Sequence, residues 1–224
     1  MGKKVNPLVF RLGVIEGWKS RWFQEKKYKD FLKEDHTLRG FLTGKLKKLG
    51  LEKIEIERSA HKILLIIHTS RPGLIIGRGG AGIEVLKNEI EKKYQAVRTD
   101  KKEKTEIKIR IEEVTKPEAN SQIVAQSAAD QLERRLPFRR ILKQTLEKAM
   151  QNKEVKGAKI RVSGRLDGSE MSRTEWLSKG RMPLQTLRAK VDFAMANAYC
   201  TYGVIGVKVW LYKGDVFEEK KDNE

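Results

Sequence analysis

The amino-acid sequence predicts an α+β protein made of two domains. Its apolar residues follow the spacing of a helix, two strands, a helix and a strand, and then of two helices followed by three or four strands. The pair Lys116-Pro117 separates the two series, and 224 residues are enough for one or two domains with a real core. We therefore expect domains at residues 39–116 and 117–214, an N-terminal extension at residues 1–38 and a short polar tail at residues 215–224.

The elements of the first series follow from local patterns. Residues 37–48 repeat leucine and phenylalanine on one helical face, and Gly50 stands just past the expected helix end. A further helix begins after the glycines near residue 80, and residues 98–104 form a charged loop. Apolar and polar residues alternate, as they do in strands, over residues 51–57, 62–69 and 106–112.

The second series begins with two helices that are separated by Pro137, because proline suits a first helical turn but not a helix interior. The first helix is expected to end near Arg135, and the second has a regular apolar stripe that begins at Phe138. Alternating segments then predict a mixed β-sheet, and they comprise Ala158/Ile160/Val162, residues 171–178, Val191/Phe193/Met195 and Val207/Val209/Leu211.

The charge of the chain indicates a polyanionic partner. Lys and Arg number 48 against 30 Asp and Glu, which gives a net charge of +18. The longest aliphatic run, residues 63–67, is far shorter than the roughly 20 residues of a membrane span. No apolar stretch follows the N-terminal lysines, so we expect no secretory signal. Cys200 is the only cysteine, which excludes internal disulfides and fits a reducing compartment.

A glycine cluster at residues 77–82 fits two phosphate-binding patterns. Gly77, Gly79 and Gly82 match the G-x-G-x-x-G of dinucleotide-binding folds, whereas Gly77-Arg78-Gly79-Gly80 matches the G-x-x-G loop with which KH domains clamp a nucleic-acid backbone. Both need glycine because a phosphate must approach the main chain closely. The dinucleotide pattern must follow a long buried strand, and Pro72-Gly73 leaves too few residues for one, so the context favours the KH loop. A structural turn without a ligand is the third interpretation.

The helix that follows Pro137 starts with cations that stability alone does not favour. Arg139, Arg140 and Lys143 lie opposite the apolar stripe, where they oppose the helix macrodipole. Arg134 and Arg135 are close in sequence and add like charge. We therefore interpret the cluster as a phosphate-binding surface.

Residues 1–38 interleave basic and aromatic side chains, which suits phosphate contact together with base stacking. Anchoring of the extension by its tryptophans explains the same pattern equally well. The candidates in this segment are Lys3, Lys4, Arg11, Trp18, Arg21 and Trp22.

Catalytic or metal-binding residues are not expected. The histidines are His36, His61 and His68, and none is spaced with Cys200 or a carboxylate pair as metal ligands are. The carboxylates Asp167, Glu170 and Glu175 lie near Arg165 and Arg173 and are expected to orient those arginines. We therefore predict no catalytic residue, no metal and no cofactor.

Taken together, the motifs resemble the bacterial family of small ribosomal subunit protein three over nearly the whole chain. The ordered set is far more specific than any single G-x-x-G. It consists of Gly2-x-Lys4-Val5-Asn6-Pro7, Arg11-Leu12-Gly13, Trp22-Phe23, Arg71-Pro72-Gly73, Ile76-Gly77-x-x-Gly80, Leu132-Glu133-Arg134-Arg135, Phe138-Arg139-Arg140, Ser163-Gly164-Arg165, Arg173-Thr174-Glu175-Trp176, Gly180-Arg181-x-Pro183-Leu184 and the run from Thr201 to Trp210.

The resemblance implies a type II KH domain followed by a C-terminal α/β domain, and a place in the head of the cytoplasmic small ribosomal subunit. It implies contacts with small-subunit ribosomal RNA, with messenger RNA and with the tenth and fourteenth proteins of the subunit. It also implies that Arg139, Arg140 and Lys143 line the messenger entry channel and help to unwind structured messenger without nucleotide hydrolysis. Gly79 stands where relatives often have a basic residue, so only Arg78 adds charge to the loop.

Further candidates for contact with ribosomal RNA are basic residues of the second domain. They are Arg134, Arg135, Lys159, Arg161, Arg165, Arg173, Arg181, Arg188 and Lys208.

Two other classes of function remain open on the sequence. A free-standing KH regulator would bind short single strands without a ribosome, whereas a ribosomal protein with many phosphate contacts should stay on its particle at roughly 0.5 M salt. A nucleotide-dependent enzyme that uses residues 77–82 would bind NAD or NADP measurably.

Overall fold

A computed structural model of the chain describes residues 4–59, 62–97 and 106–217. The chain forms two compact units, one of Trp18–Lys116 and one that combines Met1–Gly17 with Pro117–Glu224. Lys3, the loop at residues 98–104 and the end of the polar tail lie outside the described residues.

The predicted helices and strands occur in the predicted order, together with two short helices and a two-residue strand that the sequence did not predict. The helices are α1 (Pro7–Phe10), α2 (Tyr28–Leu46), α3 (Pro72–Ile76), α4 (Ala81–Val97), α5 (Ser121–Glu133) and α6 (Phe138–Gln151). The strands are β1 (Ser20–Arg21), β2 (Leu51–Ser59), β3 (Lys62–Thr69), β4 (Glu106–Glu113), β5 (Gly157–Gly164), β6 (Arg173–Gly180), β7 (Ala189–Cys200) and β8 (Gly203–Asp215). The predicted α+β class is confirmed.

The unit of Trp18–Lys116 is a sheet in the order β1-β2-β3-β4, with β2 antiparallel to β3 and β3 parallel to β4. The parallel pair requires a crossover, which α3 and α4 provide. Leu42 of α2, Ile90 of α4 and Ile67 of β3 are fully buried in one apolar cluster. The helices thus cover one face of the sheet and hold α3 and the glycine cluster at its end.

Helix α2 begins at Tyr28, nine residues before the predicted start at Thr37. Its first turns bury two carboxylates, Glu34 and Asp35, instead of apolar residues. Both pair with Arg58 of β2, whose Nη1 is 2.6 Å from Glu34 and whose Nε is 2.8 Å from Asp35. Burial alone would lower the pKa of Arg58, but the nearby carboxylates outweigh it and raise that pKa. Apolar periodicity could not predict these turns because their inward residues are charged.

Trp22 is an anchor of this unit. Its Nε1 donates a hydrogen bond to Asp35 at 2.8 Å, and its ring lies 5.3 Å from that of Tyr28 and 5.6 Å from that of Phe31. The side chain therefore satisfies its donor and packs its ring inside the protein. Of the two interpretations of Trp22, which is half-buried, these contacts support anchoring.

In the unit that contains Pro117–Glu224, α5 and α6 pack on a sheet in the order β6-β5-β8-β7. Where the sequence predicts a mixed sheet, every neighbouring pair of strands is antiparallel. Both helices precede the sheet, so no helix separates successive strands as a parallel crossover requires. The predicted stripe of α6 is confirmed, since Phe138, Ile141 and Leu142 are buried; the helix begins one residue after Pro137, which is its N-cap.

Strand β7 turns a different face to the helices than predicted. A register shift follows Ala189, and Ala194, Ala196 and Ala198 are buried while Met195 is 56% exposed. The small side chains of β7 meet α5, which buries alanines of its own. Val191, Phe193 and Met195 therefore share the face opposite α5 and α6, where Val191 is buried with Tyr212 and Met195 is exposed.

Arg11 ties the N-terminal segment to this unit. Its side chain is fully buried, and burial lowers the pKa of its guanidinium. Nε donates to the carbonyl oxygen of Ala189 at 2.6 Å, and the Nη atoms donate to the carbonyl oxygens of Pro7, Pro183, Leu184 and Thr186 at 2.9 to 3.2 Å. Arg11 therefore cannot bind RNA, and the predicted separate extension at residues 1–38 is wrong for its first part.

Replacement of Arg11 by methionine should destabilise this unit by about 3 kcal/mol or more, because several buried carbonyl oxygens lose their donor. Urea unfolding followed by circular dichroism measures the loss. The matched control is Arg188→Met, whose side chain is 63% exposed and whose loss should cost less than about 0.5 kcal/mol. Equal losses in the two variants would contradict the anchoring role.

Candidate nucleic-acid interface

The glycine cluster forms an exposed loop between two helices. Gly77 ends α3 with φ 70° and ψ −177°, Gly79 has φ 60°, and Gly80 has φ 84°. A side chain at Gly77 would be strained, because that combination of angles is nearly restricted to glycine. Arg78 is exposed in the middle of this turn. The main chain is therefore open to a phosphate at the N-terminal end of α4, where the helix dipole favours an anion.

Gly82 has a different function, which is the close packing of α3 on α4. A Cβ at this position would lie 2.5 Å from the carbonyl oxygen of Ile75. The helix α3 occupies the place where a dinucleotide-binding fold needs a long strand. The G-x-G-x-x-G match is thus explained by packing, and the dinucleotide interpretation is wrong.

Exposed apolar side chains flank this loop. Leu74 is 62% exposed, Ile76 36% and Val85 54%, and they lie on α3 and α4, which pack together. None of these three residues is among the RNA-binding candidates predicted from the sequence. The sequence did contain a sign of this surface. Val85 is an apolar residue that lies outside the buried stripe of α4, and such a residue indicates an exposed apolar patch.

The basic face of α6 is exposed as predicted. Arg139, Arg140 and Lys143 point away from the buried stripe, and no acidic residue lies in the first turn. Arg140 and Lys143 form no ion pair with any residue that the structure describes. These side chains border a groove of about 700 Å³ between α6 and β6, whose lining is Arg139, Arg140, Leu142, Lys143, Gln144, Glu147, Glu175, Trp176 and Leu177.

Glu175 of β6 holds two arginines beside the groove. Its carboxylate is 3.1 Å from Nε of Arg173 and 3.7 Å from Nε of Arg139. Both guanidinium groups also lie over the ring of Phe138, at 5.7 Å for Arg139 and 5.5 Å for Arg173. The expected orienting role is thus seen for Glu175. Arg165 instead donates to the carbonyl oxygens of Ser169 and Tyr202.

Helix α5 ends at Glu133, two residues before the predicted end near Arg135. Arg134 and Arg135 follow it and are exposed. Arg135 has a φ of 60°, so the chain turns sharply between the helices. Glu133 forms no ion pair with Arg134 or Arg135, and its carboxylate accepts a hydrogen bond from the amide of Tyr199 at 3.0 Å. The cations of both helix ends are therefore left for an external anion.

The other candidates in the N-terminal part have different environments. Lys4 is exposed and Trp18 is 70% exposed. Arg21 has a 62% exposed side chain, but it lies 3.3 Å from Glu57 and 3.5 Å from Glu55. Such exposed pairs are weak, so Arg21 can exchange a carboxylate for a phosphate.

The remaining candidates lie on the second sheet and its loops. Arg181 and Arg188 are exposed, with Arg188 at 3.9 Å from Asp215. Lys159, Arg161 and Lys208 are half-buried on the sheet face opposite the helices, as the alternation of β5 and β8 requires.

The histidines and the cysteine have the following surroundings in the part of the chain that the structure describes. The described residues contain no group of three side chains that could hold a metal ion. Cys200 is half-buried, and its thiol donates to the carbonyl oxygen of Leu132. His36 is exposed, His68 lies 3.5 Å from Glu112, and His61 lies outside the described residues. No helix within the described ranges is long and apolar enough to cross a membrane.

Comparison with known proteins agrees with both units. Residues 37–119 match the family model of the KH domain, and residues 128–211 match that of the C-terminal domain of ribosomal protein S3. A protein of Citrifermentans bemidjiense named small ribosomal subunit protein uS3 is 51% identical over 99% of this chain and 100% of its own length. Proteins of the same name from Koribacter versatilis and Caldicellulosiruptor saccharolyticus are 49% and 48% identical, and each match covers at least 98% of this chain and 96% of the relative.

The glycine loop permits a direct test of its geometry. Gly77→Ala should lower the free energy of unfolding by about 1–3 kcal/mol, because its backbone angles are strained for any other residue. Gly79→Asn should cost at most about 1 kcal/mol, because asparagine tolerates the left-handed conformation and the position has open space around it. Denaturant unfolding of both variants measures the difference, and an equal cost would show that the loop has other angles.

Proposed function

This chain belongs to the family of small ribosomal subunit protein uS3, and from that membership we propose that it lines the channel through which messenger RNA enters and helps to unwind structured messenger. It is a non-enzymatic structural protein of the cytoplasmic small ribosomal subunit, and its KH domain implies RNA binding. The proposal places the chain at the messenger entry and names the side chains that contact the messenger.

The observation that carries this proposal is the first two turns of α6. Arg139, Arg140 and Lys143 are exposed there beside a groove, at a helix end that has no acidic residue and no side-chain cap. Cations at an exposed helix N-terminus cost about 0.3–1 kcal/mol each, so folding does not explain them. Phosphates brought to this end would gain from the cations and from the helix dipole together.

The mechanism requires no hydrolysis in this chain. Single strands of messenger have phosphates that Arg140 and Lys143 can bind, while Glu175 and Phe138 keep Arg139 in one orientation. Contacts of this kind favour opened strands over a hairpin that has not yet entered. Movement of the messenger through the ribosome supplies the work, and the cations prevent the strands from closing again.

The other basic residues are proposed to bind small-subunit ribosomal RNA in the head of the subunit. The glycine loop contributes main-chain amides and Arg78, with the exposed apolar residues Leu74, Ile76 and Val85 beside it for bases. Neighbouring head proteins, the tenth and the fourteenth of the subunit, are proposed as protein partners. The proposed RNA contacts outside the loop are Lys4, Trp18, Arg21, Arg134, Arg135, Lys159, Arg161, Arg165, Arg173, Arg181, Arg188 and Lys208.

The alternatives are less well supported. The interpretation as a nucleotide-dependent enzyme is wrong, because the family is not enzymatic and because α3 lies where a dinucleotide-binding fold needs a strand. A free-standing KH regulator would not need the second unit, whereas the matched relatives share it over nearly their full length.

The triple variant Arg139→Gln/Arg140→Gln/Lys143→Gln should leave the thermal stability of the isolated protein unchanged or raise it, because the cations oppose the helix dipole. Subunits reconstituted with it should translate an unstructured message normally. On a message with a stable hairpin we expect elongation through the hairpin to slow several-fold. Single-turnover translation of the two messages measures this ratio.

The matched control for this triple variant is Lys148→Gln, an exposed cation in the last turn of the same helix. It should lower stability by at most about 1 kcal/mol, because a cation in the last turn favours the helix dipole, and it should leave the ratio between the two messages unchanged. A loss of more than about 2 kcal/mol of stability in the triple variant, or equal slowing on both messages, would argue against a role at the entry channel.

A further inference from the structure

The second sheet has one face that α5 and α6 do not cover, which we call the open face; at one end of it Val191 and Tyr212 are buried in a cluster with Met182 and Leu184. It is the side of β6-β5-β8-β7 opposite α5 and α6. Alternation from the buried residues Ile160 and Val209 places the side chains of the open face. Its central members are Trp176 on β6, Lys159 and Arg161 on β5, Lys208 and Trp210 on β8, and Phe193 and Met195 on β7.

Within the described residues, the cations of the open face have no carboxylate partners. Lys159, Arg161 and Lys208 form no ion pair with any residue in the described ranges, and Nε of Arg161 is buried without a hydrogen-bond acceptor. Arg161 and Lys208 are also direct neighbours across β5 and β8. Like charges opposite each other destabilise a sheet, so this arrangement does not serve the isolated fold.

The acidic residues of the same four strands are engaged elsewhere. Glu175 points toward α6, where it pairs with Arg139. Asp192 points toward α5, where it accepts hydrogen bonds from the amide and the hydroxyl group of Ser121. Asp215 lies at the end of β8 and accepts from the hydroxyl of Tyr212. The middle of the open face is therefore purely cationic.

Aromatic rings alternate with these cations across the face. Trp176 is 54% exposed, and Nζ of Lys159 lies 4.5 Å from its ring centroid and 5.8 Å from that of Trp210. Trp210 lies beside Phe193, with 5.2 Å between the ring centroids. An ammonium group held between two indole rings leaves ring surface available for stacking on either side.

We propose that the open face binds unpaired nucleotides of RNA, with bases stacked on Trp176 and on the Trp210–Phe193 pair and phosphates bound by Lys159, Arg161 and Lys208. The inference rests on the proposed function as an RNA-binding protein and adds a site and a class of RNA to it. Aromatic rings stack on bases that are splayed out of a helix, and phosphates match unpaired cations.

The dimensions of the face favour a short single strand. Adjacent strands lie about 4.8 Å apart, so β6 and β7 are separated by about 14 Å, which spans two or three bases. A duplex hides the faces of its bases, so it would leave the aromatic rings unused. A protein partner would need a carboxylate for each of three cations to avoid burying unpaired charge.

The first experiment measures binding of the full-length protein to a fluorescent 12-nucleotide oligouridylate and to a 12-base-pair RNA duplex. Trp176→Ala and Arg161→Gln should each weaken oligouridylate binding by about tenfold and leave duplex binding within about twofold. Trp176→Phe should restore most of the affinity, because phenylalanine keeps a stacking face. The matched controls are Met171→Ala and Lys153→Gln, exposed residues of the same unit outside the open face, which should bind as the unchanged protein does.

The second experiment locates the contact, since the KH loop can also bind single strands. Oligouridylate that contains 4-thiouridine should cross-link to peptides of β6 and β8 in the unchanged protein, and Trp176→Ala should remove the β6 adduct. Lys159→Gln/Lys208→Gln provides a second variant that keeps all the aromatic rings, and it should weaken binding at low salt most strongly.

Three results would overturn the inference. One is unchanged oligouridylate affinity in Trp176→Ala and Lys159→Gln/Lys208→Gln together, and another is the absence of adducts on β6 and β8. The third is normal RNA binding by these variants with loss of a neighbouring protein from reconstituted subunits, which would make the open face a protein-docking surface. Trp176 also borders the groove beside α6, so Lys159→Gln/Lys208→Gln, whose residues lie outside that groove, separates this inference from the entry-channel proposal, which is tested by translation through a hairpin.

Discussion

The apolar stripe of α6 packs on β5 and β6, and this contact decides which side chains of the second unit face outward. Because Phe138, Ile141 and Leu142 are buried, Arg139, Arg140 and Lys143 are directed to solvent by the helical period alone. The same contact covers one side of the sheet and leaves the other side open. Two cationic surfaces of different shape thus depend on one helix–sheet interface, and a change that rotates α6 would disturb both.

The positions of the carboxylates explain why much of the net charge of +18 is available on the surface to bind an anionic partner. Glu34 and Asp35 are buried with Arg58, Glu133 binds the amide of Tyr199, and Asp192 binds Ser121. Each of these acids makes a hydrogen bond or ion pair within the fold, and none of them forms an ion pair with Arg134, Arg135, Arg140 or Lys143. The charge excess is therefore concentrated by the arrangement of the acids as much as by the number of basic residues.

Arginine and tryptophan residues have opposite roles at different places in this chain. Arg11 and Arg58 are buried and satisfied by carbonyl or carboxylate oxygens, whereas Arg140 is exposed without an ion-pair partner among the described residues. The indole N–H of Trp22 donates to Asp35 within the unit of Trp18–Lys116, whereas the side chain of Trp176 is about half exposed to solvent. The residue type states what a side chain can bind, and the fold decides whether that partner is internal or external.

The pattern of the sequence alone determined the α+β class, the order of the elements and the exposed basic face of α6. These follow from short-range periodicity, because a helix or strand places its residues by local geometry. It could not determine the start of α2, the buried face of β7, the role of Arg11 or the open face of the second sheet. Those depend on partners far away in sequence: Arg58 for the first turns of α2, the alanines of α5 for β7, and the carbonyl oxygens near residue 185 for Arg11. Long-range pairing of charge and register leaves no local pattern, so only the tertiary structure reveals it.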